Sequence, residues 1–231
     1  AAMRAEAGLI ENLNRSNEKQ YRARLSKKWA ATNSLSYFRY VLALSNRYFK
    51  VDEANLTELD RLYLTMLHYD FWQEGTTNMS LSDSIATIGS NKDYLAEIKE
   101  YLHLRISLID FEESKCSLGY EQPLQLHARY TRDQILVAFG LSTLHKKSSN
   151  REGTAENKKL NTELLFINLQ KSEEDFSPTT MYDDYAIDET LFHWQSQGRT
   201  ADNSATGMSY IKQVELNKKI IFYLYNYVIL L

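Results

Sequence analysis

The fold of this chain is indicated most clearly by ten residues in its middle, TRDQILVAFG, Thr131–Gly140. Thr131 and Gln134 have the spacing of a capping box, in which each side chain accepts a hydrogen bond from the other residue's backbone N–H. The apolar residues that follow fit two to three helical turns, and glycine commonly ends a helix. The stretch therefore predicts a short helix with both of its ends marked.

The residues around this helix predict a β-rich second half. A strand is indicated at 123–130, where apolar and polar residues alternate loosely. Further strands are indicated at 164–169, 190–197 and 219–229, where β-branched and aromatic residues are frequent. A polar loop that contains glycine is predicted at 145–157. The short helix thus lies among strands.

The residues of the first half have helical periodicity instead. Apolar residues recur at steps of three and four over Leu9–Trp72 and again over Tyr94–Ile109, which is the spacing of one helix face. Thr57 is a predicted N-cap. We therefore expect an α+β fold, with a helical connector domain at 1–117 and a β-rich domain at 118–231.

The composition excludes several classes of protein. The 231 residues include one cysteine, Cys116, so there is no disulfide framework and no cysteine-based zinc finger. No apolar run approaches the length of a membrane span, and the first residues lack the pattern of a signal peptide. These features lead us to expect a cytoplasmic protein without a membrane partner.

The net charge of −3 hides an uneven distribution. Residues 1–50 hold ten basic and three acidic side chains, so the rest of the chain is acidic. The basic side chains alternate with aromatic ones, a mixture that suits either phosphate contact or an ordinary amphipathic helix. Besides Arg4, the basic members are Arg15, Lys19, Arg22, Arg24, Lys27, Lys28, Arg39, Arg47 and Lys50.

Few catalytic motifs are present. The chain has no P-loop of its own, and it has no paired Cys/His ligands, so a dedicated transition-metal site is not expected. His145, Lys147 and Glu152 form H-x-K-x4-E, which differs in its last residue from the signature of phospholipase D-type nucleases. That chemistry normally needs two copies, and the chain has one. Ser177, His193 and Asp184 could be drawn as a hydrolase triad, but no G-x-S-x-G supports it.

The densest group of polar and aromatic residues lies at 175–197. It combines hydroxyls, carboxylates, amides and five aromatic rings. One interpretation is a recognition pocket in which rings stack on a planar ligand and polar groups read its edge. The other is that the rings form the core of the β-rich half.

The string FSPTTMYDDYAIDETLFHWQSQ (176–197) resembles the C-terminal domain of SauUSI-like modification-dependent restriction enzymes. LLFINLQKSEED (164–175) and SATGMSYI (204–211) extend the resemblance, and TRDQILVAFG with REGT (151–154) resembles the opening of the same module. The resemblance covers about residues 120–225. In these enzymes a phospholipase D-type nuclease and a DEAD/DEAH-type helicase precede the module.

The resemblance implies a DNA-binding module that recognises 5-methylcytosine by flipping the base into an SRA-like barrel. The parent protein would be an ATP-dependent type IV restriction endonuclease, and ATP and magnesium would belong to that parent. This chain would hold no catalytic residue and no cofactor of its own. Its partners would be double-stranded DNA with modified cytosine and the helicase and nuclease domains, and a homodimer is compatible with this arrangement. Since the family continues with further strands, the barrel is expected to be incomplete at the C-terminus.

Residue chemistry then suggests individual roles within the resembling region. For the base pocket we predict Tyr182, Asp184, Tyr185, Trp194 and Gln195. For contacts to DNA we predict Ser177, Thr179, Arg129, Arg132, Lys146, Lys147 and Arg151. Replacing Asp184 or Trp194 by alanine is expected to weaken binding of modified duplexes and leave the fold intact.

Two alternatives remain open at this level. The chain could be a structural or dimerisation module that positions the helicase and nuclease, with its aromatic-rich helices covered by a partner. It could also be an independent nuclease that uses His145, Lys147 and Glu152.

Overall fold

The computed structural model describes residues 23, 25–168, 184–188, 191–196, 200–224 and 227–229. Helical residues 25–31 come first. The helices that follow are α1 (Leu35–Asn46), a 3₁₀ turn (Glu53–Asn55), α2 (Glu58–Trp72), α3 (Leu81–Ile88), α4 (Lys92–Ser107), α5 (Arg132–Ala138) and α6 (Ala205–Ile211). The strands are β1 (Ser114–Lys115), β2 (Gln125–Leu126), β3 (Thr154–Asn157), β4 (Thr162–Ile167), β5 (Tyr185–Ala186), β6 (Phe192–His193), β7 (Lys219–Leu224) and β8 (Tyr227–Ile229). The expected α+β class is confirmed.

Helix ends follow the capping signals of the sequence. Both predicted caps are present as full capping boxes, Thr57 with Asp60 at α2 and Thr131 with Gln134 at α5. Each box satisfies backbone N–H groups that the first helical turn leaves without a partner. Gly140 follows α5 with φ of 64°, a left-handed conformation that glycine adopts without steric cost. The helix predicted at 131–140 is therefore confirmed.

The main sheet has four strands in the order β3-β4-β7-β8. β3 runs antiparallel to β4, β4 parallel to β7, and β7 antiparallel to β8. A parallel pair needs a crossover, and here the crossover between β4 and β7 includes the β5–β6 hairpin and α6. Within the described residues this sheet is open, and no closed barrel is formed.

The sheet separates two apolar layers. Its inner face presents side chains such as Leu164 and Tyr223 to the helices. Its outer face presents Leu165 and Phe222 to Phe192 and to the tryptophan that follows β6. This division follows from the two-residue repeat of a strand, in which successive side chains point to opposite faces.

Several strand predictions need correction. The strand predicted at 123–130 is only Gln125–Leu126, because the left-handed φ of 66° at His127 turns the chain. The loop predicted at 145–157 ends in β3, whose Ala155 is buried against the inner core. The strand predicted at 219–229 is a hairpin of two strands. The strand predicted at 190–197 is reduced to two residues, and that at 164–169 begins earlier, at Thr162.

One hydrophobic cluster includes side chains from both sides of the predicted boundary at 117/118. It extends from Leu25 and Trp29 in the first helical residues to Tyr223 in β7. α5 contributes Ile135 and Leu136 to the same cluster. The division into two domains stays a prediction, but the packing across its boundary is continuous.

Candidate nucleic-acid interface

A carboxylate in the first turn of α5 contacts two lysines that come from basic segments distant in the sequence. The Asp133 carboxylate lies 2.7 Å from the Lys28 ammonium and 3.2 Å from that of Lys147. Burial raises the pKa of Asp133, but the two lysines outweigh it, so the pKa lies below its ordinary value. One carboxylate therefore holds two cations together, one from each basic segment.

Arg132, next to Asp133, fixes the loop that follows. Its Nη2 donates to the Asn150 side-chain oxygen at 2.6 Å and to the Glu152 carbonyl at 2.7 Å. Its guanidinium lies 3.7 Å from the centre of the Phe166 ring on the inner face of the sheet, which is cation–π geometry. Arg132 thus positions the loop that carries Arg151.

The remaining predicted DNA-contact residues near α5 differ in exposure. Lys146 and Arg151 are exposed. Arg129 is half-buried, its backbone pairs with Asn33, and its Nε has no hydrogen-bond partner among the described residues. Six basic side chains thus lie on α5 or on segments next to it, and we call them the α5 basic surface: Lys28, Arg129, Arg132, Lys146, Lys147 and Arg151.

The residues of the nuclease-like H-x-K-x4-E pattern hold two loops together. The His145 Nδ1 lies 2.6 Å from the Thr76 carbonyl, and the Lys147 ammonium donates to the Gln73 carbonyl at 2.9 Å. Gly75 lies at this contact, where a Cβ would lie 3.0 Å from the backbone carbonyl carbon of His145, a tight approach. The independent nuclease stays an untested alternative, and the contacts observed for His145 and Lys147 are structural ones.

The β5–β6 hairpin brings three of the predicted base-pocket residues together. The Asp184 Oδ1 accepts a hydrogen bond from the Gln195 backbone N–H at 3.0 Å. Between them, the Tyr185 and His193 rings are stacked at 4.9 Å with an interplanar angle of 30°. Tyr185 is 52% exposed, so its ring is accessible to a planar ligand.

Trp194, also predicted for the base pocket, lies partly buried against the sheet. Its ring meets Tyr210 and Phe222 edge-on, at 5.2 and 6.3 Å between centroids, and it packs on the outer-face cluster. Removing such a ring costs packing energy as well as any ligand contact. We therefore revise the expectation that Trp194→Ala leaves the fold intact.

The predicted base pocket and the residues predicted to contact the DNA backbone lie on opposite faces of the main sheet. Arg132 stacks on Phe166 at the inner face, whereas Trp194 packs on Phe222 at the outer face. The remaining predicted residues, Ser177, Thr179 and Tyr182, lie outside the described residues, so the Ser177–His193–Asp184 triad stays untested.

Sequence reasoning missed a buried ionic cluster on the outer face. The Lys218 ammonium contacts Glu163 at 2.6 Å, Glu156 at 3.1 Å and the Ser209 hydroxyl at 3.2 Å. The Tyr210 hydroxyl donates to Glu163 at 2.6 Å. Burial lowers the pKa of Lys218, but the two glutamates outweigh it, so the pKa is raised. No local motif predicts this cluster, because its members meet only after the strands pair.

Two absences concern the described part of the chain. Within it, no three His, Cys, Asp or Glu side chains are grouped so as to hold a metal ion. The helices found there are all too short or too polar to cross a membrane.

Comparison with known proteins assigns one region. Residues 124–225 match a family described as a domain of unknown function, DUF3427. We call these residues the DUF3427 region; it contains α5, the main sheet up to β7, and the hairpin. No curated protein and no solved structure shows significant similarity to the chain. The match covers almost the same residues as the resemblance described from the sequence.

Proposed function

We propose that this chain is a non-catalytic DNA-binding module that recognises modified cytosine for an ATP-dependent restriction endonuclease/helicase. The observation that carries DNA binding is the α5 basic surface, where Lys28 and Lys147 meet on Asp133. The identity of the parent enzyme, and its ATP and magnesium, rest on the resemblance of residues 120–225 to SauUSI-like enzymes.

Cations on the α5 basic surface suit the backbone of a duplex. Lysine and arginine that neutralise phosphates release counterions, and this supplies much of the affinity. Such contacts position the protein, whereas sequence or modification is read elsewhere. In this proposal the exposed Lys146 and Arg151 contact phosphates directly, and Arg132 holds their loop in place.

The hairpin suits the reading of an extruded base. Flipping a base costs a few kcal/mol, and stacking on an aromatic ring returns about 1–3 kcal/mol. Tyr185 offers the accessible ring, and His193 supports it from the other side. Trp194 then holds the pocket in place on the sheet, because it packs on the outer-face cluster.

We expect the chain to bind duplex DNA with a marked salt dependence. Each phosphate contact contributes about 0.9 to the slope of log K against log salt, so Lys146→Ala and Arg151→Ala each lower that slope by about 1. The control is Lys212→Ala, which removes an exposed lysine directly after α6. Titrations at several salt concentrations measure the slopes. If all three variants have the slope of the parent, the α5 basic surface does not contact DNA.

We expect methyl-dependent binding to need the Tyr185 ring. Tyr185→Ala should reduce the affinity for a 5-methylcytosine duplex by about tenfold or more, since one stacked base is lost. Tyr185→Phe keeps the ring and should bind like the parent. The measurement is a titration of methylated and unmethylated duplexes of one sequence at fixed salt. Equal binding by the alanine variant would remove Tyr185 from the pocket, and equal affinity of the parent for both duplexes would reject base recognition.

The second candidate is a structural module that binds another protein. A groove of about 360 Å³ between residues 25–31 and α4 favours it. Trp29, Ile98 and Tyr101 form part of its apolar lining, and Leu104 at its rim is 54% exposed. Absence of any binding to DNA in the titrations above would favour this candidate.

A further inference from the structure

Asp70 lies at the centre of a buried hydrogen-bond network. It is fully buried in α2. The Trp29 Nε1 donates to its Oδ2 at 3.0 Å, and the Tyr37 hydroxyl donates to the same oxygen at 2.7 Å. Gln134 Nε2 donates to both carboxylate oxygens, at 2.8 and 3.1 Å. The donors thus come from three different helical segments.

Gln134 connects this network to the DUF3427 region. Its side chain is fully buried. Besides the two bonds to Asp70, its Oε1 accepts from the Thr32 hydroxyl at 2.9 Å and from the Thr131 N–H at 2.8 Å. The residue that closes the α5 capping box therefore also reaches into the first helices. Without the helices that precede the DUF3427 region, the side-chain amide N–H of Gln134 would lose its acceptor and be left unpaired.

Further bonds cross the same boundary away from Asp70. The Tyr69 hydroxyl donates to the Thr143 carbonyl at 2.7 Å, and the Thr76 N–H donates to the Leu144 carbonyl at 2.8 Å. α5 itself buries five of its seven residues. A helix this short has little stability alone, so its conformation depends on the helices that cover it.

We infer that residues 25–107 and the DUF3427 region form one cooperative folding unit, which the Asp70–Gln134 network locks together. Two domains that only touch would each enclose a core of its own and meet through a more polar surface. Here the shared hydrophobic cluster surrounds the network. The boundaries of the DUF3427 region therefore do not mark the boundaries of a folding unit. This inference does not depend on DNA binding.

The test is native-state hydrogen exchange of the full chain in increasing denaturant, read by mass spectrometry. Amides of α2 and of β4 should open in one common transition, because the segments of a cooperative unit unfold together. Separate transitions for α2 and β4 would overturn the inference.

A pair of matched variants sharpens the test. Gln134→Leu should raise the exchange of the α2 and β4 amides by the same factor, about tenfold or more, because buried hydrogen bonds are lost. The same change at the half-exposed Gln213 should alter neither. If Gln134→Leu does not fold, Thr32→Val removes one donor to Gln134 and gives a smaller common shift. A change in exchange confined to either α2 or β4 would show that the Asp70–Gln134 network does not couple the two segments.

Discussion

Asp70→Ala is expected to lower the free energy of unfolding by about 4 kcal/mol or more. The substitution leaves Trp29 Nε1, Tyr37 OH and Gln134 Nε2 buried without their acceptor. Each such orphaned group costs about 1–3 kcal/mol, and many domains are stable by only about 5–15 kcal/mol. Chemical denaturation followed by circular dichroism measures the loss. A loss below about 1 kcal/mol would show that the network contributes little.

Two milder variants test the cause of that loss. Tyr37→Phe removes one donor and should cost about 1 kcal/mol. Asp70→Asn keeps one acceptor oxygen but places an N–H group against one of its donors, so its effect should lie between those of Tyr37→Phe and Asp70→Ala. Asp110→Asn makes the same chemical change at an exposed position and should have almost no effect.

The Asp70 carboxyl also predicts a pH dependence. Burial raises its pKa to about 6, although the bonds from Tyr37, Gln134 and Trp29 and the charge of Lys28 act against the shift. A raised pKa favours the protonated folded form, so this contribution is complete below pH ~4 and is lost as the pH rises through about 6. Relative to Asp70→Asn, the parent should therefore lose up to about 3 kcal/mol of stability between pH 4 and 7. Parallel pH profiles for the two proteins would contradict this.

Lys218→Met is expected to cost about 3–5 kcal/mol, the usual effect of removing one partner from a buried ion pair. Lys218 and Glu163 are each less than a tenth exposed. With the ammonium removed, Glu163 keeps the Tyr210 hydroxyl but no cation. Denaturant unfolding measures the change, and a loss below about 1 kcal/mol would show that water reaches the site.

Removing the second charge is expected to restore most of the stability. Glu163→Gln in the Lys218→Met background keeps an acceptor for Tyr210 and no longer buries a charge, so the double variant should be more stable than Lys218→Met. Lys212→Met breaks an exposed pair with Glu215 and should cost less than about 1 kcal/mol. A double variant no more stable than Lys218→Met would show that the cost does not come from the unpaired Glu163.

Local signals in the sequence correctly predicted the elements with strong capping. Thr57 and Thr131 each begin a helix where the capping pattern places it, because a capping box depends on residues only three positions apart. Strand limits were predicted less well. The turn at His127 needs a left-handed φ that no neighbouring residue type signals, and β3 has few apolar residues because it lies at the edge of the sheet.

The candidate site was likewise predicted only in part from the sequence. The sequence pointed to the region at 176–197 and to the basic residues near α5, and the hairpin does join Asp184, Tyr185 and Gln195. It gave no sign that Lys28 and Lys147 share Asp133. Contacts over such separations depend on how the helices pack, and side-chain spacing along the chain does not record them.

The sequence by itself determined the α+β class, the capped helices and the segregation of basic residues, since these depend on neighbours within a few positions. Only the tertiary structure decided which of those residues meet. It packed Trp194 against the sheet, paired Glu163 with Lys218, and placed Asp70 within reach of Gln134. The physical reason is burial: a polar group removed from water must find its partner wherever the fold supplies one, and for Gln134 one such partner, Thr32, lies 102 residues away.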